Sequence, residues 1–120
     1  MKFAGGHDMT NKTYTASFFG YAVNDKIVAV NSGHRCSDNS YRSRGLYVSP
    51  EFRKQGIGQK LLIATINQAL DEGCKFIWSY PKKSSWGTYA ASGFELASEW
   101  HQSELDINAY CIKRLDHDYL

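Results

Sequence analysis

The residues best able to do chemistry together fall in one stretch, Leu46-Tyr47-Val48-Ser49-Pro50-Glu51-Phe52-Arg53-Lys54-Gln55-Gly56-Ile57-Gly58-Gln59. An apolar, β-prone run ends at a proline, and Gly56 and Gly58 then open an amphipathic stretch. The first four N–H groups of a helix have no partner inside it. They sit at the positive end of the helix dipole. Glycines without a Cβ let an anion approach that backbone closely, so the arrangement is a phosphate cradle. Arg53 and Lys54 add positive charge beside it, which suits a pyrophosphate. The spacing is not that of a dinucleotide fingerprint, and no acidic residue follows in the right context. No Gly-Lys-Ser/Thr follows either, which excludes a Walker loop. At this point a plainer reading stays open, in which the two glycines only shape a helix start.

Other reactive side chains are scattered. Cys36, Cys74 and Cys111 form no C-x-x-C pair and no zinc-ligand spacing, and read as reduced thiols of a cytoplasmic protein. His7, His34, His101 and His117 do not pair at helical spacing, so no metal is expected. The 14 Lys and Arg against 12 Asp and Glu leave a net charge of +2, too small to argue for nucleic acid from charge alone. No apolar run approaches the ~20 residues that span a bilayer. The opening eight residues have no apolar core of a signal peptide, so neither membrane nor export is expected. The 120 residues support a single domain, 1–120. Such a chain buries roughly 65% of its extended surface and needs no disulfide or metal to do so.

The elements that must position the motif follow from pattern. Residues 14–23 are aromatic and β-branched and read as a strand. Asn24-Asp25-Lys26 is a turn signal, and 27–31 returns as the second strand of a hairpin. After a polar loop at 36–40, residues 41–48 form a third strand that Pro50 ends. In 56–70, Ile57, Leu61, Leu62, Ile66, Ala69 and Leu70 recur at three- and four-residue steps, which predicts a helix with one apolar stripe. Gly73 stands where a left-handed C-terminal cap belongs. Residues 75–80 read as a strand, 84–92 as a short helix stopped by Gly93, and 94–100 and 106–115 as two last strands. The expected class is α+β (mixed α/β), with a mixed, mostly antiparallel sheet in the order β-β-β-α-β-α-β-β.

Placed on these elements, Arg53-x-x-Gly56-x-Gly58 resembles the acetyl-CoA motif of the GNAT family of N-acetyltransferases, Arg/Gln-x-x-Gly-x-Gly/Ala after a β-strand. The preceding Leu46-Tyr47-Val48-Ser49-Pro50 resembles the family's apolar-x-Val-x-Pro strand end. Tyr89-Ala90-Ala91-Ser92-Gly93-Phe94 resembles its later Tyr-x-x-x-Gly-Phe helix, in the right order and separated by a helix and a strand. The resemblance covers roughly 14–115. It implies that the backbone of Leu46, Tyr47 and Val48 pairs with the pantetheine arm of acetyl-CoA like an added strand. Arg53 and the amides around Lys54, Gln55, Gly56, Ile57, Gly58 and Gln59 would hold the pyrophosphate, and Tyr89 would be the general acid. The implied reaction is direct attack of an amine on the thioester through a tetrahedral intermediate. A backbone N–H near Val48 would polarise the carbonyl, and Tyr89 would protonate the departing thiolate, whose ordinary thiol pKa is ~8.5.

The sequence departs from the family in three places. Some members carry a Glu on the strand before the Tyr helix; here that position is Ile77, and 74–80 has no carboxylate. His34, Glu99 and His101, or a water chain to a backbone carbonyl, remain open as the base for an amine that is almost wholly protonated at pH 7. Lys82 stands where an Asn often bonds the pantetheine, and it cannot accept a hydrogen bond; Lys82 and Lys83 would instead meet a coenzyme phosphate or an anionic substrate. The family's usual first strand and two roofing helices have no counterpart in 1–13, so the chain reads as a short version. The run Phe18-Phe19-Gly20-Tyr21 is then expected bare, and a second copy is expected to cover it as a homodimer. The expected acceptor is a small-molecule or peptide amine, with loops 31–44 and 98–105 setting its identity. Two other readings stay open. One is a coenzyme-binding module of weak activity. The other is a nucleic-acid binder using Tyr41, Arg42, Arg44, Tyr47, Arg53 and Lys54, against which the charge balance argues.

Overall fold

The computed structural model describes residues 15–115. The opening segment 1–13, Tyr14 and His117 lie outside them. β1 (Ser17–Val23) and β2 (Lys26–Arg35) form the first hairpin. Its turn residues Asn24 and Asp25 take φ of 51° and 65°. Positive φ at both central positions gives the turn whose twist matches paired strands, and Asn and Asp tolerate it. β3 (Ser40–Val48) runs antiparallel to β2. A 3-10 turn at Pro50–Phe52 leads into α1 (Ile57–Asp71). β4 (Phe76–Ser79) returns parallel to β3. A 3-10 turn at Lys83–Ser85 runs into α2 (Trp86–Ala91). β5 (Glu95–Leu96), β6 (His101–Gln102), β7 (Ile107–Asn108) and β8 (Cys111–Arg114) follow. The main sheet has the order β1-β2-β3-β4-β8-β5, mostly antiparallel, and β6 and β7 form a separate ribbon. This is the mixed α+β class expected from the sequence.

The last two strands are less regular than their alternation suggests: 94–100 keeps only Glu95–Leu96, β6 forms beyond it in the expected turn, and 106–115 breaks into β7 and β8. The Ala97 N–H still donates to the Tyr110 carbonyl at 2.8 Å. The Tyr110 N–H, however, donates to the Ser98 hydroxyl at 2.9 Å instead of to a carbonyl. Asn108 turns toward the end of β4, its Nδ2 donating to the Tyr80 carbonyl at 3.1 Å. Ala109 follows, its N–H donating to the Pro81 carbonyl at 3.3 Å. Polar side chains and a second partner strand thus take over the ladder. At the end of α1, Gly73 N–H donates to Leu70 O and Cys74 N–H to Ala69 O, the paired bonds of the cap expected there.

Both helices lie on one face of the sheet. The larger core cluster joins Leu62, Ile66 and Ala69 of α1 and Tyr89 of α2 to Tyr41, Ile77 and Cys111 of the sheet. Each fully buried Leu or Ile contributes about 1.5–3 kcal/mol. A second cluster holds Ala29, Ile57 and Leu61, with Phe19, Tyr21, Leu46, Val48 and Phe52 packed against it. Of the run expected bare, therefore, Phe19 and Tyr21 pack inward. Phe18 points to the opposite face and is 71% exposed.

A polar seam ties α1 to β2 and β3. Asn31 Nδ2 donates to Ser43 Oγ at 3.0 Å and to Thr65 Oγ1 at 2.9 Å. Thr65 Oγ1 in turn donates to the Leu61 carbonyl at 2.9 Å. Gly33 makes the close approach possible: a Cβ there would lie 2.5 Å from Tyr41 Cε2 and 2.9 Å from Thr65 Cγ2. Tyr41 has no room to yield, being buried and hydrogen-bonded through its hydroxyl to Ser17 and Glu72. Gly33→Ala is therefore expected to destabilise the fold by about 1–3 kcal/mol through overpacking. Urea unfolding would read it as a lower midpoint at unchanged slope, and an unchanged midpoint would refute the packing argument.

Candidate functional site

β3 is paired along both edges only at its start. Ser40, Tyr41 and Arg42 match Phe76, Ile77 and Trp78 of β4, and the pairing then stops. At the point of parting, Ser79 Oγ donates to the Ser43 carbonyl at 2.7 Å. The other edge of β3 explains the divergence. Against β2, Tyr47 faces Val30 while Arg44 faces Ser32, so β3 carries one extra residue. That bulge contains Gly45, whose φ of 78° suits glycine. A bulge bends its strand and sharpens the twist. It turns Leu46, Tyr47 and Val48 away from β4 and leaves their backbone edge open to an extended ligand.

A groove of about 580 Å³ lies along this edge. Nine of the ten residues the sequence pointed to line it: Leu46, Tyr47, Val48, Arg53, Lys54, Gly56, Ile57, Gly58 and Gln59. Gln55 does not; its Nε2 donates to the Glu51 carbonyl at 3.4 Å. The far wall comes from Lys82, Ser84, Ser85, Gly87, Thr88 and Ala91. Of these the sequence had marked only Lys82, because no motif distinguishes the serines and Thr88.

The start of α1 forms the groove's anion-binding end. Lys60 N–H donates to the Gly56 carbonyl at 3.1 Å, the first bond of the helix ladder. The amides of Ile57, Gly58 and Gln59 precede it and lack intrahelical acceptors. No acidic residue sits in that first turn. Gly56 is required by its φ of 81°, since a Cβ there would meet nothing within 4 Å. Gly58 lines the groove and serves packing as well. A Cβ on it would lie 3.2 Å from Thr88 Cγ2, so its bareness lets α1 and α2 approach. Gln59 Nε2 bridges the same two walls by donating to the Ala91 carbonyl at 3.1 Å. Arg53 Nε donates to the Val48 carbonyl at 2.7 Å, and its guanidinium lies 5.5 Å from the Tyr47 ring centre. Arg53 thereby fixes the end of β3 to the loop that carries the amides.

Tyr89 does not line the groove, although its neighbour Thr88 does. It is only 3% exposed and packs edge-on against Phe94 with ring centres 5.3 Å apart. Burial raises its phenol pKa to about 12, against the opposing effect of hydrogen bonds with the Ser79 and Ser43 side chains. Both serines belong to the point where β3 and β4 part, so the Tyr89 hydroxyl sits at the inner end of that opening. Of the open candidates for a base, His34 is buried and Glu99 is exposed. His101 is organised: its Nδ1 lies 3.1 Å from the Glu99 carbonyl and its Nε2 lies 2.6 Å from the Tyr80 hydroxyl. A carbonyl can only accept, so Nδ1 carries the hydrogen and Nε2 accepts from Tyr80. Nothing in the sequence had singled out Tyr80.

The residues of the nucleic-acid reading do not form one surface, although Tyr47 lines the groove with Arg53 and Lys54. Tyr41 is buried, and Arg53 and Lys54 belong to the groove. Arg42 and Arg44 lie on the sheet face away from the helices, since they alternate with Tyr41 and Ser43. Among the described residues, no group of His, Cys, Asp and Glu could hold a metal, and no helix is long and apolar enough to cross a membrane.

Comparison with known proteins agrees with this geometry. The acetyltransferase (GNAT) family matches residues 5–94. No curated protein matches the sequence. Among solved structures, a GNAT-family acetyltransferase from Staphylococcus aureus Mu50 superposes with a TM-score of 0.76 at 18% identity, over 96% of this chain and 78% of that one. PaiA N-acetyltransferase from Thermoplasma acidophilum, solved with coenzyme A, gives 0.69 at 17% identity over 83% and 61%. A Bacillus anthracis protein assigned as a streptothricin acetyltransferase, solved with acetyl coenzyme A, gives 0.71 at 14% identity over 82% and 62%. This chain thus spans less than two thirds of the length of either coenzyme complex.

The buried phenols carry a consequence for stability. Tyr41 and Tyr89 both have raised pKa values, each chiefly from burial. The unfolded phenols titrate near ~10, so above that pH the folded state binds more protons than the unfolded one, and stability falls with pH. Below ~10 their contribution is complete. Stability is therefore expected to hold to about pH 10 and then decline toward pH 12, less steeply in Tyr89→Phe. Thermal melts across that range would check it, and an identical decline in the variant would refute the assignment to Tyr89.

Proposed function

The chain belongs to the GNAT acetyltransferase family, and on that premise we propose that it moves an acetyl group from acetyl-CoA to a primary amine. The observation that carries this reading is the groove, which joins the open edge of Leu46, Tyr47 and Val48 to the unpaired amides at the start of α1. These residues fit the coenzyme. The β3 edge suits the amide-bearing pantetheine arm, and the amides near Gly56 with Lys54 and Lys82 suit the phosphates. Acetyl-CoA, when bound, supplies the acetyl group as a thioester.

The chain's own residues then handle two protons. Tyr89 stays neutral at physiological pH and holds a proton at the inner end of the opening, for the sulfur that departs. The Ser79 and Ser43 side chains oppose the rise of its pKa. On the opposite face, Tyr80 and His101 take the proton that the amine must lose. The Tyr80 oxygen receives it while passing its own proton to His101 Nε2. One observation favours a second reading, a coenzyme-binding module of weak activity: Tyr89 is almost wholly buried and off the groove wall.

We also propose a cytoplasmic homodimer. Phe18, Ile27 and Val30 share one face of the first hairpin, since Phe18 pairs Ser32, Gly20 pairs Val30 and Ala22 pairs Ile27. All three are exposed.

Three measurements test these proposals. Acetyl-CoA at 100 times its dissociation constant is expected to stabilise the folded state by about 2.7 kcal/mol, and no rise in melting temperature would remove the groove from the account. Tyr89→Phe is expected to keep that rise while lowering thiol release by roughly a hundredfold. An unchanged rate would leave the acid role without support. Sedimentation of the protein is expected to give a dimer that Phe18→Asp dissociates; a monomeric wild type would overturn the homodimer.

A further inference from the structure

The sheet face away from the helices carries a continuous strip of rings with a cation at one end. Ile77 and Ser79 are buried toward the helices, so Trp78 and Tyr80 project to the other side, as do Arg42 and Arg44. The Arg42 guanidinium lies 4.6 Å over the Trp78 ring. Trp78 stands 6.0 Å from Tyr110, Tyr110 stands 4.4 Å from Tyr80, and Tyr80 stands 5.6 Å from His101. Arg42 and Trp78 are the last matched pair before β3 and β4 part, and Ser43 and Ser79 close the parting one residue further on. The strip therefore runs past the place where Tyr89 reaches from the other side.

Arg42 is the unusual member. It is half-buried, and its Nε is out of contact with water and has no hydrogen-bond acceptor among the described residues. Among the described residues, the charged neighbours that act on it include no carboxylate. Loss of water first, and the like charge of Arg44 second, lower its pKa. A guanidinium withdrawn from water without an anion is unfavourable. The ring of Trp78 offsets this through its π face but offers nothing to the N–H donors. An anion delivered with the substrate completes the arrangement, and a planar carboxylate matches the guanidinium fork.

Resting on the acetyltransferase reading, we infer that this strip is the acceptor site and that the acceptor amine also carries a carboxylate, held by Arg42. The substrate class is an amino acid, or a peptide with a free carboxylate, whose flat or apolar side chain lies along Trp78 and Tyr110. The amine, on the same carbon as the carboxylate, then stands near the Arg42 end, and water relays its proton along the strip to Tyr80 and His101. The transfer balances without a further reactant. The ammonium first gives one proton to water, the neutral nitrogen forms the bond to the acetyl carbon, and the carbon–sulfur bond breaks. The nitrogen's second proton leaves through Tyr80 to His101, the sulfur takes the proton of Tyr89, and water returns a proton to Tyr89 and takes one from His101.

Matched acceptors test this. L-phenylalanine against phenethylamine, and L-tryptophan against tryptamine, differ in the carboxylate and little else. With acetyl-CoA and thiol release as the readout, kcat/KM is expected to favour each amino acid by at least about tenfold. Arg42→Gln is expected to bring that ratio near unity, mainly through KM, and Arg42→Lys to restore part of it. Equal use of the decarboxylated amines by the wild type would overturn the inference, whatever the variants do. A binding arm keeps this separate from the activity itself. Calorimetry is expected to give N-acetylphenylalanine at least tenfold tighter binding than N-acetylphenethylamine. If acetyl-CoA is bound but never consumed, the acetyltransferase reading fails while this arm still decides the carboxylate. Equal affinities there would also overturn it.

Discussion

The rest of the structure depends on one backbone irregularity, the extra residue in β3 at Gly45. A sheet whose strands stayed paired from end to end would have no opening at its centre. Here β3 keeps its match to β2 on both sides of the bulge and gives up its match to β4 beyond Arg42. The loss of ladder bonds leaves polar backbone groups exposed along Leu46, Tyr47 and Val48. Such groups need partners, and a ligand with alternating amides would supply them. The divergence is stable because both walls are braced. Asn31, Ser43 and Thr65 hold the paired half of β3 to α1, and Arg53 fastens the carbonyl at its far end.

The same opening explains the environment of Tyr89. Its ring belongs to the larger core cluster, which anchors α2 against the sheet. Its hydroxyl meets Ser79 and Ser43, where the strands separate. Packing and proton chemistry thus compete for one side chain. The core removes water and drives the pKa upward, and the serines resist that rise. A phenol in this setting keeps its proton across the physiological range. Cys111, also buried in this cluster, has its thiol pushed up to about 12 by loss of water, which makes it a packing residue and a poor nucleophile.

How far the fold was legible in the sequence depended on how local its determinants are. The stripe of Ile57, Leu61, Leu62 and Ile66 announced α1, because helical burial repeats within one segment. Asn24 and Asp25 announced the first turn for the same reason. The break of the final hairpin was hidden, because it follows from Asn108 and Ser98 capturing backbone groups of strands distant in the chain. The groove was half legible. Its Arg53-to-Gln59 wall is one contiguous motif, whereas Ser84, Ser85 and Thr88 are ordinary residues brought there by α2. Gly58 was identified as part of the site, but its packing against Thr88 was not legible. The Tyr80–His101 contact joins residues 21 apart in sequence, and no periodicity links them.

The division of labour between the two sheet faces follows from the two-residue period of a strand. Ser79 and Tyr80 are neighbours, yet the first turns toward Tyr89 and the second toward His101. Ser43 and Arg42 divide in the same way on β3. An acyl donor and an acceptor approaching from opposite faces would each meet groups suited to them without crossing, and the strands need only part by the width of the reacting atoms. The arrangement is also fragile in a specific way. A slip of one residue in the pairing of β3 with β4 would exchange the faces, burying Arg42 under the helices and exposing Tyr41. The buried contacts of Tyr41 and Ile77 oppose that slip, so the core that sets the register also keeps Ser43 and Ser79 on one side and Arg42 and Tyr80 on the other.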